Sequence, residues 1–258
     1  YPEYLEANSR DEIVRAVREN LLFGAKVIKI CVDCKPWGYS VDDIKLFIAE
    51  AALGGAKVNA HVQTRDGAQR AIDAGLHVIS HGQQITPAQH AQMAAKGIYL
   101  ASTDTPFTDY RGSEQGEKHA ADQLKSAYDK GVPITFSTDM DYWNEKMKNA
   151  KGDWLSRGDL TIAFLQTWKA AGIPAKDILK ALTINGYKAA DVYKDQRGPI
   201  KVGYFADIVG IQGDPLADID ALRNVQFVMK NGAVFKKNGV LTIDSLLHSG
   251  PVNGFRRR

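Results

Sequence analysis

The run KVNAHVQTRDGAQRAIDAGLHVISH, residues 57–81, contains the pattern that decides the fold. Its two ends, Lys57–His61 and Leu76–His81, are short β-rich apolar runs, and each closes on a histidine. Between them lies a longer amphipathic segment that stops at Gly75. Glycine after a helix suits a left-handed C-terminal cap, because it has no Cβ to clash. The order strand, helix, glycine, strand is that of a βα unit on a parallel sheet.

Working outward, the same rhythm recurs. Further strands are expected at Val27–Cys31, Ile98–Ala101 and Pro133–Ser137, with glycines at Gly24, Gly54-Gly55, Gly97 and Gly131 before the strands that follow. Ser9 with Glu12, Ser40 with Asp43, and Thr86-Pro87 with Gln89 are helix-opening signals, since a hydroxyl and an acid or amide three residues later can satisfy each other's backbone donors. After Ser137 the pattern predicts helices at Leu160–Ala171 and Ala175–Leu182. From Arg197 short strands take over at Ala206–Ile211, Val225–Lys230, Ala233–Phe235 and Val240–Ile243, with Asn231-Gly232 as a hairpin turn. We therefore expect an α/β domain over residues 1–196 and a small β-rich domain over 197–258.

The composition is that of a packed globular protein: 258 residues, 44% hydrophobic, 24% charged, net charge +3. The basic residues are spread out except for Arg256-Arg257-Arg258, which argues against nucleic acid as the main partner. No apolar stretch is long enough to span a membrane. Tyr1-Pro-Glu-Tyr4 has neither an initiating Met nor a signal-peptide pattern, so the chain is expected to begin part-way through a gene product. The compartment, cytoplasmic or secreted or periplasmic, is not assigned by these residues. The two cysteines, Cys31 and Cys34, have a spacing that permits a redox pair; the reading preferred here is that Cys31 ends a strand and Cys34 lies in the following loop, because no second pair exists to complete a zinc site.

Parallel α/β folds build their sites at the C-terminal ends of strands. Four ionisable residues stand there: Lys29 inside Val27-Ile-Lys-Ile30, His61, His81, and Asp139 after Phe136-Ser-Thr138. Each has a plain alternative. A histidine at a strand end is commonly a satisfied polar residue, and Asp139 could cap the next segment. Lys29 is harder to dismiss, because lysine is rarely buried without a partner. Together, imidazole and carboxylate at successive strand ends suit zinc or a similar ion. His77 is read as a strand-start residue, and His90 and His119 are expected on helices facing solvent.

The motifs Ile28-Lys29-Ile30, Ala60-His61-Val62, Ser80-His81-Gly82 and Ser137-Thr138-Asp139, in this order, resemble strands four, five, six and eight of the amidohydrolase superfamily. The likeness is to its imidazolonepropionase-like and prolidase-like (zinc carboxypeptidase) branch. Leu182-Thr-Ile-Asn185 with Ala189-Ala190, and Gly198-x-Ile200-x-x-Gly203-Tyr-Phe-Ala-Asp-Ile-Val209, are similar to the closing helix and first returning strand of that superfamily's small β-sandwich. The resemblance runs from Ser9 to Phe235. It implies a (β/α)8 TIM barrel of which about strands 4–8 are present, plus part of the β-sandwich.

It further implies two divalent metal ions, zinc by preference, bridged by carbamylated Lys29. His61 and His81 would hold one ion and Asp139 the other, while a metal-bridged hydroxide attacks a carbonyl and Asp139 carries its proton to the leaving nitrogen. The expected reaction is hydrolysis of an amide or peptide-like C–N bond in a small-molecule, dipeptide or N-acyl amino-acid substrate, by a homo-oligomer. Residues 35–39, 103–113 and 140–157 would face that substrate, carrying Trp37, Tyr110, Tyr142, Trp143 and Trp154. The family's His-x-His pair has no counterpart in the sequence, and five βα units fall short of a closed barrel. The remaining ligands are expected from an N-terminal part of the same protein or from another polypeptide. Two alternatives stand beside this reading: a mononuclear deaminase using His61, His81 and Asp139 without Lys29, and a non-catalytic scaffold with the same fold.

Overall fold

The computed structural model describes residues 5–34, 36–103, 114–139, 148–149 and 151–242, and divides into two compact units between Val192 and Tyr193. In the first unit five strands form one parallel sheet in the order β1 (Val27–Cys31), β2 (Lys57–Val62), β3 (Val78–His81), β4 (Tyr99–Ser102) and β5 (Ile134–Phe136). Helices α1 (Arg10–Leu22), α2 (Val41–Leu53), α3 (Arg65–Ala74), α4 (Pro87–Lys96) and α5 (Glu114–Asp129) alternate with the strands. They are followed by α6 (Arg157–Ala170), α7 (Ala175–Leu182) and α8 (Ile184–Ala190). The second unit is an antiparallel sheet in the order β6 (Ile208–Ile211), β7 (Val225–Lys230), β8 (Ala233–Lys237) and β9 (Val240–Leu241), with a 3-10 turn at Ile219–Arg223. This is the architecture expected of part of a TIM barrel together with part of a β-sandwich.

Local chemistry explains the elements. Thr86 and Gln89 form a reciprocal capping box with Pro87 at the first helical position, and Ser40 with Asp43 does the same for α2. At α1 the expected box is only half made. Ser9 accepts from the Glu12 amide, but the Glu12 carboxylate reaches one residue further, to the Asn8 amide at 2.7 Å. Gly75 and Gly97 take the left-handed conformation at φ +76° and +67° and end α3 and α4 before the next strand. The third apolar run begins as a strand only at Val78, so Leu76 and His77 belong to the approach; Pro133 also stays outside β5 and lends only its carbonyl, to the Leu100 amide.

The sheet has two chemically different faces because side chains alternate along a strand. Ile28 and Ile30 of β1, Val58, Ala60 and Val62 of β2, Ile79 of β3 and Leu100 of β4 are buried. They share the core with Ile13 and Val17 of α1, Ile44 and Phe47 of α2, Ile72 of α3 and Met93 of α4. The intervening positions Lys29, Asn59, His61 and Ser80 therefore point to the opposite face, the one a closed barrel would enclose. The base of that face is filled by Val78 and Ala101 packed with Ala189 of α8.

His90 departs from the expectation of a solvent-facing position. It is 1% exposed, and its Nδ1 lies 2.9 Å from Ser126 Oγ. In α4 it belongs to the buried stripe of Gln89, His90 and Met93, so the helix is rotated to turn this ring inward. His119 is exposed as expected, with Nε2 2.9 Å from the Gln83 carbonyl. Tyr110, Tyr142 and Trp143 lie outside the described residues, whereas Trp37 and Trp154 are exposed.

Candidate metal centre

The site rises from the alternation of β1, β2 and β3. In register Lys29 pairs with Asn59, and Cys31 with His61, which in turn pairs with Ser80. The Lys29 amine donates to Ser80 Oγ at 2.9 Å, and that hydroxyl donates to Asn59 Oδ1 at 2.8 Å. One polar chain thus crosses three strands and fixes the amine. Lys29 is exposed at the middle of β1, not buried as its apolar neighbours suggested, yet partial desolvation of its amine beside Ser80 pushes it below the ordinary lysine value, against the opposing charge of Asp139.

His61 and His81 cannot both reach this face by simple alternation, because Val62 and not His61 lies opposite His81. The backbone resolves the difficulty at His81, which takes φ +72° at the last position of β3. A non-glycine residue in this region is uncommon, and strain of this kind concentrates at functional positions. The His81 ring meets the His61 ring edge-on, with centroids 4.4 Å apart. His81 is 6% exposed, and its Nδ1 lies 2.8 Å from Thr103 Oγ1. Its Nε2 lies 3.9 Å from Asp139 Oδ2. Burial pushes His61 below the ordinary histidine value; Asp33 opposes that shift and Lys29 adds to it.

Asp139 follows β5 with φ +47°, and its side chain is 62% exposed. The separation from His81 exceeds a hydrogen bond. The donor set of two imidazoles, a carboxylate and a depressed amine fits a divalent metal. The structure brings Lys29, His61, His81 and Asp139 to one end of the sheet without closing them into a compact shell. Among the described residues, the one group of three histidine, cysteine or acidic ligand atoms within 4.8 Å of one another is Cys31, Cys34 and His61.

Sequence reading passed over the supporting residues. Asn59 and Ser80 were legible in principle, since they alternate with apolar neighbours on the face that carries Lys29 and His61. Thr103 and Asp33 lie in loops, where no periodicity marks them. Asp33 accepts from the Gln63 amide at 3.0 Å and from the Thr64 amide and hydroxyl, both at 2.7 Å. It thereby ties the loop after β1 to the turn just beyond His61.

Comparison with known proteins identifies the family and the fold. The model of the Amidohydrolase family matches residues 4–235. Ochratoxinase of Aspergillus niger is 27% identical over 260 aligned residues, covering 91% of this chain and 51% of that protein. Its crystal structure superposes with a TM-score of 0.74 at 26% identity, covering 91% of this chain and 56% of that one. Imidazolonepropionase of Alkaliphilus metalliredigens (strain QYMF) is 27% identical over 239 residues, 89% of this chain and 51% of that protein. The crystal structure of a Xaa-Pro dipeptidase with methionine bound in its active site matches with a TM-score of 0.74 at 25% identity, covering 89% of this chain and 59% of that one. The chain thus spans about half the length of the relatives it matches.

Proposed function

The chain belongs to the amidohydrolase family, and from that premise we propose that it forms part of an enzyme that hydrolyses an amide or peptide-like C–N bond at a binuclear metal centre, zinc by preference. The observation that carries the reading is the convergence of Lys29, His61, His81 and Asp139 at the C-terminal ends of parallel strands, with Lys29 held on Ser80 and His81 turned inward by its positive φ. The name of one relative, a Xaa-Pro dipeptidase, supports dipeptides as a substrate class, and N-acyl amino acids are proposed beside them because they carry the same type of C–N bond.

Bound metal would polarise the scissile carbonyl and lower the pKa of water. The chain's own residues do the rest. Burial keeps the His61 imidazole neutral, so its lone pair is available at neutral pH. In the tautomer whose Nδ1–H donates to Thr103 Oγ1, His81 presents Nε2 as the other nitrogen donor. The depressed Lys29 amine can attack carbon dioxide and lose a proton, which gives the carbamate two oxygens suited to bridging. Asp139, open to solvent beside His81, takes the proton from the attacking water and returns it to the leaving nitrogen.

β1 and β5 each have one hydrogen-bonded neighbour among the described residues, β2 and β4. We propose that strands from outside the described residues complete the barrel and supply the remaining metal ligands, and that the whole works as a homo-oligomer. Elemental analysis and turnover of N-acyl amino acids and dipeptides by the complete protein test the reading. The expected result is two equivalents of zinc per chain, bicarbonate-dependent activity, and loss of one or both metals with at least about 10-fold lower turnover in Lys29→Ala. One equivalent and a fully active Lys29→Ala would instead indicate the mononuclear deaminase. Tight metal binding with no turnover would indicate a scaffold.

A further inference from the structure

Beside the candidate centre lies a cysteine pair that the proposed hydrolysis does not use. Cys31 is the last residue of β1, and the chain turns at once so that Cys34 meets it; the two are joined as a disulfide with Cα atoms 5.7 Å apart. Cys31 ends the strand and Cys34 lies in the loop after it, as expected, but the preference for two unpaired cysteines over the redox pair is corrected: the tight turn after β1 brings the two sulfurs together. Cys31 is the register partner of His61 in β2, and the Val32 amide donates to the His61 carbonyl at 3.1 Å. Both sulfurs and one His61 ring nitrogen lie within 4.8 Å of one another. Cys34 is exposed and Cys31 half-buried, so a reductant can reach the bond.

The loop is also held independently of the disulfide. Asp33, between the cysteines, accepts from the Gln63 amide and from the Thr64 amide and hydroxyl, and the Tyr39 amide donates to the Val32 carbonyl at 3.2 Å. Breaking the sulfur bond therefore leaves both thiols facing His61. Tetrahedral zinc with Zn–S bonds of about 2.3 Å and Zn–N bonds of about 2.0 Å places its ligands roughly 3.5–3.8 Å apart, which side-chain rotation reaches from the observed spacing.

We propose that Cys31, Cys34 and His61 form a thiol-gated metal site, which is closed in the disulfide form and binds one zinc-like ion after reduction. A dithiol reductant supplies two electrons and two protons: the protein's S–S bond breaks, two thiols form, and the reductant becomes the disulfide. Metal binding then releases both thiol protons to water, with the fourth coordination position left to solvent. Because His61 is shared, an ion held by the two thiolates draws this imidazole away from Lys29 and His81, so the redox state of the cysteines selects which centre His61 serves. The thiolate site itself stands without the hydrolytic reading; only its consequence for activity depends on it.

Cobalt(II) is the probe. The complete protein is reduced with dithiothreitol, freed of reductant under nitrogen, and titrated while the sulfur-to-cobalt charge-transfer band is recorded; the sequence has two cysteines, so the band has no other source in the chain. The expected result is a band that saturates at one equivalent in the reduced protein and is absent from the air-oxidised protein, whose two cysteines resist alkylation by intact mass. Cys31→Ser and Cys34→Ser should each lower the band by about half. His61→Ala should keep the band but weaken cobalt binding by at least the roughly tenfold that even outer-shell changes cost. Lys29→Ala, folded by circular dichroism, should leave it unchanged, which separates this site from the hydrolytic centre. The proposal is overturned by a reduced protein with no such band, by a band indifferent to both serine variants, by unaltered affinity in His61→Ala, by loss of the band in Lys29→Ala, or by free alkylation in air.

Discussion

His90 and His61 are both pushed below the ordinary histidine value by burial, yet their surroundings give them different uses. Around His61 stand Asp33, Lys29 and Asp139, whereas His90 has Ser126 on Nδ1 and a buried Nε2 with no hydrogen-bond partner among the described residues. His90 is lowered to about 4 by desolvation alone. The sign follows from linkage: the unfolded chain takes up the proton near the ordinary value of about 6.5, and the folded chain resists until about 4. The stabilisation from neutral His90 is therefore full above pH 7, falls as the pH drops through this window, and is spent below it. Between pH 7 and 4.5 the native protein should lose about 2–3 kcal/mol more stability than His90→Asn, which preserves a polar atom at the Nδ1 position. Urea unfolding at the two pH values measures the difference; equal losses would show that His90 is not held neutral. Helical spacing located His90 on α4 but could not show which way that helix is rotated, and a single histidine weighs little against the surrounding apolar residues. His81 presented the converse problem: its place at a strand end was readable, but the positive φ that turns it inward was not.

At the scale of elements, the segments that announce themselves are those with redundant signals. β1, α7 and β7 lie where the apolar runs put them, to the residue, with Pro174 opening α7 and Asn231-Gly232 ending β7. Loops carry no such redundancy, and Asp33 shows what is lost. Its carboxylate pins the start of α3, whose Thr64 hydroxyl in turn accepts from the Gly67 amide as the N-cap. Gly67 also fits closely here, since a Cβ at that position would lie 2.4 Å from Asp33 Oδ2. Asp33→Ala removes the acceptor for three partly buried donors and should cost about 1–3 kcal/mol, or roughly 3–9 °C in Tm for a domain of this size. Asp33→Asn keeps one oxygen and should recover part of the loss. A thermal melt in which Asp33→Ala matches the parent would show that water replaces the carboxylate. A comparable tie exists in the second unit, where Arg197 pairs with Asp207 and donates to Asn231 Oδ1 at 2.7 Å, while Asp207 accepts from the Asn231 amide at 2.8 Å. There the Ala206-Asp207-Ile208 motif has a structural role, joining the approach to β6 with the hairpin turn between β7 and β8.

The whole molecule separates chemistry from frame along the chain. Lys29, His61, His81 and Asp139 all precede the division at Val192, as do Cys31 and Cys34, so the second unit carries none of the candidate ligands. The repeated βα rhythm made the first unit legible, and the Asn-Gly hairpin the second. The site was legible only as four strand ends, because the distances among them depend on sheet twist and on two non-glycine residues with positive φ, His81 and Asp139. This division also supplies a clean test of metal binding. All four tryptophans, Trp37, Trp143, Trp154 and Trp168, belong to the first unit, and Trp168 is 1% exposed in its core. Tryptophan fluorescence therefore reports unfolding of the unit that holds the ligands, while amide hydrogen exchange in β6 to β9 reports the other. A ligand that binds only the native state at about 100 times its dissociation constant adds about 2.7 kcal/mol. Zinc at that excess should raise the fluorescence melt by about 5–10 °C, and a chelator should reverse it. Because no candidate ligand lies beyond Val192, exchange in β6 to β9 below the melt should be the same with zinc and with chelator. Protection that rises in the second unit and not in the first would place the ion away from Lys29, His61, His81 and Asp139.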